Sequence, residues 1–222
     1  MSYLYIRKLV NLFYPPRCMF CRRDIDDEHR LLICPDCLYK YEASGIQQIL
    51  LPGTYGKCEY ALDYRDEVRL ALLRFKFSGM PQYARGLAHF MLPALEKRTH
   101  VDFISWAPIS PIRHMRRTYD QSKLLASELS RASAIPLVAT LRKRKHNRQQ
   151  AKLGALDRSR HVHGVYCTIH PERIRGARIL LVDDIVTTGA TLCECAKTLY
   201  QAGAAYVYCI ALAHGTGGKD NK

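Results

Sequence analysis

One segment of this 222-residue chain limits its fold more than any other: Ile-Leu-Leu-Val-Asp-Asp-Ile-Val-Thr-Thr-Gly-Ala-Thr-Leu, residues 179–192. Its first four residues are apolar without alternation, as in a strand buried on both faces, and the run ends in the paired acids Asp183 and Asp184. A short loop of threonines around a single glycine, Gly189, then opens a segment in which Leu192, Cys195, Ala196, Leu199 and Ala202 recur at helical spacing. A doubly buried strand running straight into a helix is the building unit of a parallel sheet.

The chain from Cys58 onward repeats that alternation. Residues 58–64 read as a strand, and Val68, Ala71, Leu72 and Phe75 mark a helix that Gly79-Met80-Pro81 stops. Leu87, Phe90, Met91, Ala94 and Leu95 mark a second helix with Pro93 as a kink. Residues 103–109 read as a strand, 119–132 as a helix and 137–141 as a short strand, followed by a polar, basic stretch to His163. A strand at 178–183, a helix at 190–202 and a last strand at 205–213 complete the pattern. The expected fold is α/β, a parallel sheet flanked by helices on both faces. With 48% hydrophobic residues the chain is neither disordered, collagen-like nor coiled coil, and no apolar run approaches the ~18 residues that span a bilayer.

The loop after the acids has the chemistry of a monophosphate cradle. Gly189 lets the backbone approach an anion, the hydroxyls of Thr187, Thr188 and Thr191 and the N–H groups through Ala190 donate to it, and the helix N-terminus adds a positive dipole. Asp183 and Asp184 beside it can accept hydrogen bonds from vicinal hydroxyls. A phosphate and a cis-diol held side by side describe a ribose 5-phosphate. The alternative, strand-end acids with Thr188 or Thr191 as a helix cap, accounts for one acid and one threonine but not for the whole arrangement.

Four of the nine cysteines fall together as Cys18-x2-Cys21 and, twelve residues on, Cys34-x2-Cys37. Two such knuckles complete the tetrahedral thiolate shell that Zn2+ prefers, and the polar residues between them need a staple because they cannot form a core. Disulfides are the alternative; the missing secretion signal and the odd cysteine total argue against them. Cys58, Cys167, Cys193, Cys195 and Cys209 read as buried thiols. Residues 1–14 are apolar but carry Arg7-Lys8 in their middle, where a signal peptide has an unbroken apolar core, and read as a short amphipathic helix on a cytoplasmic protein.

The net charge of +14 is unevenly placed. Residues 113–160 hold thirteen Lys and Arg against three acids, a local net of +10. A small phosphorylated metabolite would use two or three of these cations. Arg142, Lys143, Arg144, Lys145, Arg148 and Lys152 exceed that need: they suit a nucleic-acid backbone or form a solvated basic loop, and Tyr119 and Tyr166 are candidates either for stacking on bases or for packing. The phosphates that this charge serves can belong to a phosphorylated metabolite, to a nucleic acid or to an anionic membrane surface.

Residues 179–192 closely resemble the phosphoribosyl-pyrophosphate loop of type I phosphoribosyltransferases. The chain as a whole resembles the ComF (ComFC, competence protein F) family, in which a four-cysteine zinc module precedes such a domain. Further matches are Tyr64, Phe75-Lys76-Phe77, Gly79, Pro108, Pro111, Arg116-Arg117, Tyr119, Gln121, Gln150, Leu153, Arg158, Gly164 and Tyr166, whereas Thr118, Asp120 and His161 replace the family's usual Gly, Asn and Asn. The Gly-rich, polar tail at 216–222 reads as disordered. The resemblance implies a zinc-ribbon-like module at residues 1–50 and a phosphoribosyltransferase-like domain at 51–215. It implies phosphoribosyl pyrophosphate with Mg2+ as ligand, the ribose on Asp183 and Asp184, the 5-phosphate on residues 187–191, and the pyrophosphate on Arg117 with a loop cation. It further implies single-stranded DNA handling during DNA uptake in natural transformation, beside uptake machinery at the inner membrane. Turnover of a phosphoribosyl substrate on a nucleobase or related nucleophile stays open.

Overall fold

The computed structural model describes residues 15–26, 30–53, 56–98, 100–109, 119–143 and 164–216. The amphipathic segment 1–14, the basic stretch from Arg144 to His163 and the tail from residue 217 fall outside them. In chain order the elements are α1 (Pro35–Glu42), β1 (Gln47–Leu50), β2 (Lys57–Asp63), α2 (Asp66–Phe77), α3 (Tyr83–His89), α4 (Leu92–Glu96) and β3 (Phe103–Trp106). There follow α5 (Gln121–Ser133), β4 (Leu141–Lys143), β5 (Tyr166–Thr168), α6 (Pro171–Ile174), β6 (Arg178–Val186), α7 (Ala190–Gln201) and β7 (Tyr206–His214).

Five strands form one sheet in the order β1-β2-β7-β6-β3, and β4 and β5 form a separate antiparallel ribbon. The pairs β2·β7, β7·β6 and β6·β3 are parallel, and the edge strand β1 is antiparallel to β2. The central strands β6 and β7 are buried over almost their whole length, which is why their sequences do not alternate. On one face, Leu180, Val182, Ile210 and Leu212 lie under α2, α3, α4, α5 and the cysteine module. On the other, Ile179, Leu181, Cys209 and Ala211 lie under Leu192, Cys195, Ala196 and Leu199 of α7. The expected α/β sheet flanked by helices is the observed one, with an antiparallel edge added.

Local expectations shift in five places. Pro93 does not kink one helix; it stands in the first turn of the separate helix α4, where its missing N–H costs nothing. Residues 137–141 are not a strand: Leu137 makes a single parallel bridge to Ile104, and pairing resumes only at Leu141, in the ribbon. β3 ends at Trp106 instead of continuing toward Pro108. β6 does not end at the acids but runs through them to Val186, because β7 goes on pairing with it as far as His214. Cys167 and Cys193 are only half-buried, unlike Cys58, Cys195 and Cys209.

The cysteine module is built into the main core. Phe20 lies against Tyr41 and Phe90, with ring centroids 4.4 and 5.9 Å away, and the Arg74 guanidinium of α2 donates to the Met19 carbonyl at 2.9 Å. Gly86 of α3 leaves room for the Leu31 carbonyl, which any side chain there would strike.

Candidate ligand site at the strand ends

β3 stays paired with β6 only to the Trp106–Val182 pair, whereas β7 continues beyond it. Asp183 and Asp184 follow at the point where β6 loses a neighbour, and side chains of α2 and α5 reach them from one face of the sheet. Asp183 Oδ1 accepts from the Ser122 hydroxyl of α5 at 2.9 Å and from the Asp184 N–H at 2.8 Å. Burial, and then the neighbouring Asp184 carboxylate, push Asp183 up to about 7, against the pull of those two hydrogen bonds and the Lys76 ammonium. Asp184 Oδ1 accepts from the Ile185 N–H at 2.6 Å. Asp184 Oδ2 lies 2.8 Å from the Lys76 ammonium, in an ion pair whose side chains are only 11% and 13% exposed.

Thr187, Thr188 and Thr191 are exposed while Gly189 is buried. Gly189 has φ 74°, a left-handed conformation that favours glycine, and a Cβ there would lie 2.6 Å from Leu51 Cδ2 of the β1–β2 turn, so that side chain would have to shift. Its carbonyl accepts from the Cys193 N–H at 2.9 Å as α7 begins, and no side chain caps that first turn. The helix-cap role considered for Thr188 or Thr191 is not realised, and the turn's N–H groups remain available to an anion. The strand ends are tied together by Gly215 N–H to the Val186 carbonyl and Tyr64 N–H to the His214 carbonyl, at 2.8 and 2.7 Å.

Of the six basic residues assigned to nucleic acid, Arg142 and Lys143 are described. They stand on the β4–β5 ribbon, Lys143 over the Tyr166 ring at 5.1 Å and Arg142 Nε 3.1 Å from Cys167 Sγ. Arg144, Lys145, Arg148 and Lys152 lie outside the described residues, as does Arg117. Of the two roles open to Tyr166 and Tyr119, packing is the one observed: Tyr166 is buried, and Tyr119 donates its hydroxyl to the Phe75 carbonyl with its ring 5.8 Å from that of Phe75. Both are packing residues. Asp120, where the family usually has Asn, caps α5 by accepting from the Lys123 N–H at 3.1 Å, and its other oxygen accepts from the Ile109 N–H at 3.3 Å.

Three further residues have no role that local sequence patterns assign. Lys76 stands in the sequence only within the Phe75-Lys76-Phe77 match to the family. Ser122 looked like any serine in a first helical turn. Glu194, buried in α7 and accepting from the Gly164 N–H at 2.6 Å, looked like an ordinary helix glutamate.

The four module cysteines come together. The Sγ atoms of Cys18, Cys21, Cys34 and Cys37 all lie within 4.8 Å of one another, with Cys21 and Cys34 at 3.6 Å. Four sulfurs about 2.3 Å from a tetrahedral zinc would be about 3.8 Å apart, so the cluster is compatible with structural zinc. Burial opposes ionisation of Cys18, but the N–H groups of Cys34, Cys21 and Phe20 outweigh it and draw the thiol down to about 7.

A parallel sheet with an acid pair and a threonine–glycine turn at its strand ends defines a type I phosphoribosyltransferase-like protein, and the phosphoribosyl transferase domain model matches residues 120–222. Over 196 residues the chain is 30% identical to competence protein F of Haemophilus influenzae, covering 85% of this chain and 80% of that one. It is 26% identical to the DNA utilization protein YhgH of Salmonella typhimurium, over 86% of each chain. It is 30% identical to competence protein ComFC of Bacillus subtilis over 64% of this chain and 57% of that one. The chain belongs to the ComF family. No helix among the described residues is long and apolar enough to cross a membrane.

Proposed function

We propose that the strand ends bind phosphoribosyl pyrophosphate with Mg2+, and that the protein serves DNA uptake by handling single-stranded DNA. The observation that carries the reading is the meeting of the acid pair with the uncapped, glycine-opened first turn of α7. Asp183 and Asp184 take the ribose hydroxyls, the turn of Thr187, Thr188, Gly189, Ala190 and Thr191 takes the 5-phosphate, and Arg117, outside the described residues, is assigned the pyrophosphate together with a loop cation. The Mg2+ would neutralise charge on the diphosphate. Arg142 and Lys143, with Arg144, Lys145, Arg148 and Lys152, supply cations for a nucleic-acid backbone. The competence and DNA-utilization names of the relatives support the uptake role. In this reading residues 1–50 are a zinc-stapled module, 51–215 the ligand-binding domain and 216–222 a tail.

Calorimetry with phosphoribosyl pyrophosphate and Mg2+ tests the site. Wild-type protein is expected to bind, and Asp183→Ala with Asp184→Ala to abolish binding; a double variant that still binds would remove the ligand from the strand ends. Following pyrophosphate release across a panel of nucleobases separates a binder from a transferase.

A further inference from the structure

The phosphoribosyl reading gives tasks to the acids and to the turn before α7 but none to Lys76. A buried ammonium is costly, and replacing a buried ion pair by apolar side chains is often neutral or stabilising. Lys76 stands at the border of the core, between fully buried Leu72 and Phe75 of the same helix and Phe77, which is 64% exposed. Yet the charge is kept, and its backbone is held in place: the Tyr119 hydroxyl donates to the carbonyl of Phe75, next to Lys76, and Gly79 at φ 62° turns the chain away two residues after α2 ends.

The topology indicates what the charge faces. α7 covers one face of the sheet, α2 covers the other, and the acid pair lies on the strand end between them. In a ribose ring, C1 and C4 flank the C2–C3 diol on opposite sides. With the diol on Asp183 and Asp184 and the 5-phosphate in the turn before α7, C4 lies toward α7. C1 then lies toward α2, the side on which Lys76 stands. Lysine suits this position because a compact charge on a four-carbon stem can turn from a carboxylate to a phosphate oxygen.

We infer that Lys76 determines specificity at the proposed site, selecting a ribose 5-phosphate that carries a diphosphate at C1 over bare ribose 5-phosphate. The inference rests on the phosphoribosyl reading above. The competing role is purely structural: Lys76 would hold Asp184 in place and affect both ligands alike.

The test is calorimetry of the full chain with phosphoribosyl pyrophosphate and, separately, with ribose 5-phosphate, each with Mg2+. Lys76→Gln and Lys76→Met both remove the charge, so either can stand in if the other does not fold, and a melting curve checks each before titration. Losing one charged contact should weaken phosphoribosyl pyrophosphate roughly 10- to 100-fold and ribose 5-phosphate less than about twofold, with Lys76→Arg restoring much of the difference. Equal weakening of both ligands, or of neither, overturns the inference. Wild-type protein that binds neither ligand overturns the phosphoribosyl reading itself, and that result is visible before any Lys76 variant is made.

Discussion

The cysteine cluster and the acid pair are both gatherings of like ionisable groups, and they are finished in opposite ways. In the first, four thiols from two knuckles aim at one point, and three of the four cysteines are buried. Four sulfur donors complete a tetrahedral shell and leave no position for anything else. In the second, Asp183 and Asp184 are partly satisfied from within by Ser122, by backbone N–H groups and by Lys76, beside a helix start whose N–H groups no side chain caps. A cluster that closes on itself holds the fold together, whereas one beside an uncapped helix start still has N–H donors to offer a ligand.

The sharpest way to break that contrast is to remove a thiol. Cys34→Ser should abolish zinc binding, expected at about one equivalent per chain, and lower the melting midpoint by roughly 10 °C or more, because metal binding and folding of such a module are one process. The loss should spread beyond the module, since Met19, Phe20, Ile33 and Tyr41 belong to the same core as Leu72, Phe75 and Phe90. A metal assay and a melting curve decide the matter. A variant that melts with wild type would make the four cysteines ordinary core thiols.

The two clusters were also unequally legible in the sequence. Short-range spacing carries the cysteine knuckles and the β6–α7 segment, because each is local in the chain and its geometry follows from a few residues. Long-range partners leave no local pattern. Lys76 reaches Asp184 across 108 positions and Ser122 reaches Asp183 across 61, so neither could be paired before the sheet and the helices of one face were assembled. The edge strand β1 and the ribbon strand β5 escaped for a related reason: four and three residues are too few for a period to register, and only their partners define them.

A smaller effect should distinguish the open cluster from a structural one. Asp183 is raised to about 7, mainly by burial, against about 3.9 for an unfolded carboxylate. Between about pH 4 and 7 the unfolded chain therefore releases this proton while the folded chain keeps it. The folded state binds more protons in that window, so Asp183's contribution to stability is greatest below pH 4 and falls as pH rises to 7. Asn at 183 can accept the same two hydrogen bonds on its carbonyl and never ionises. Asp183→Asn should flatten this part of the pH dependence and melt about 2–4 °C above wild type at pH 8, while losing affinity for phosphoribosyl pyrophosphate. Thermal melts from pH 4 to 8 provide the check; a variant that melts at or below wild type at pH 8 would mean that the acid is not held at a cost.

The smallest effect belongs to the rim of the closed cluster. Arg23 follows the first knuckle and Asp36 lies within the second; they approach to 2.6 Å, closer than the 2.8 Å of Lys76 and Asp184, but their side chains are 67% and 72% exposed. Coulomb attraction in water is weak, salt screens it, and two long side chains must be held still to make it. Distance alone would rank this pair above Lys76–Asp184, whereas burial reverses the order. Arg23→Ala is accordingly expected to leave the melting midpoint within about 1 °C of wild type and zinc content unchanged, at low and at high salt alike. A drop that shrinks with added salt would show that the rim charges help to hold the module, and would move the boundary between the closed cluster and its solvated surroundings outward by one shell.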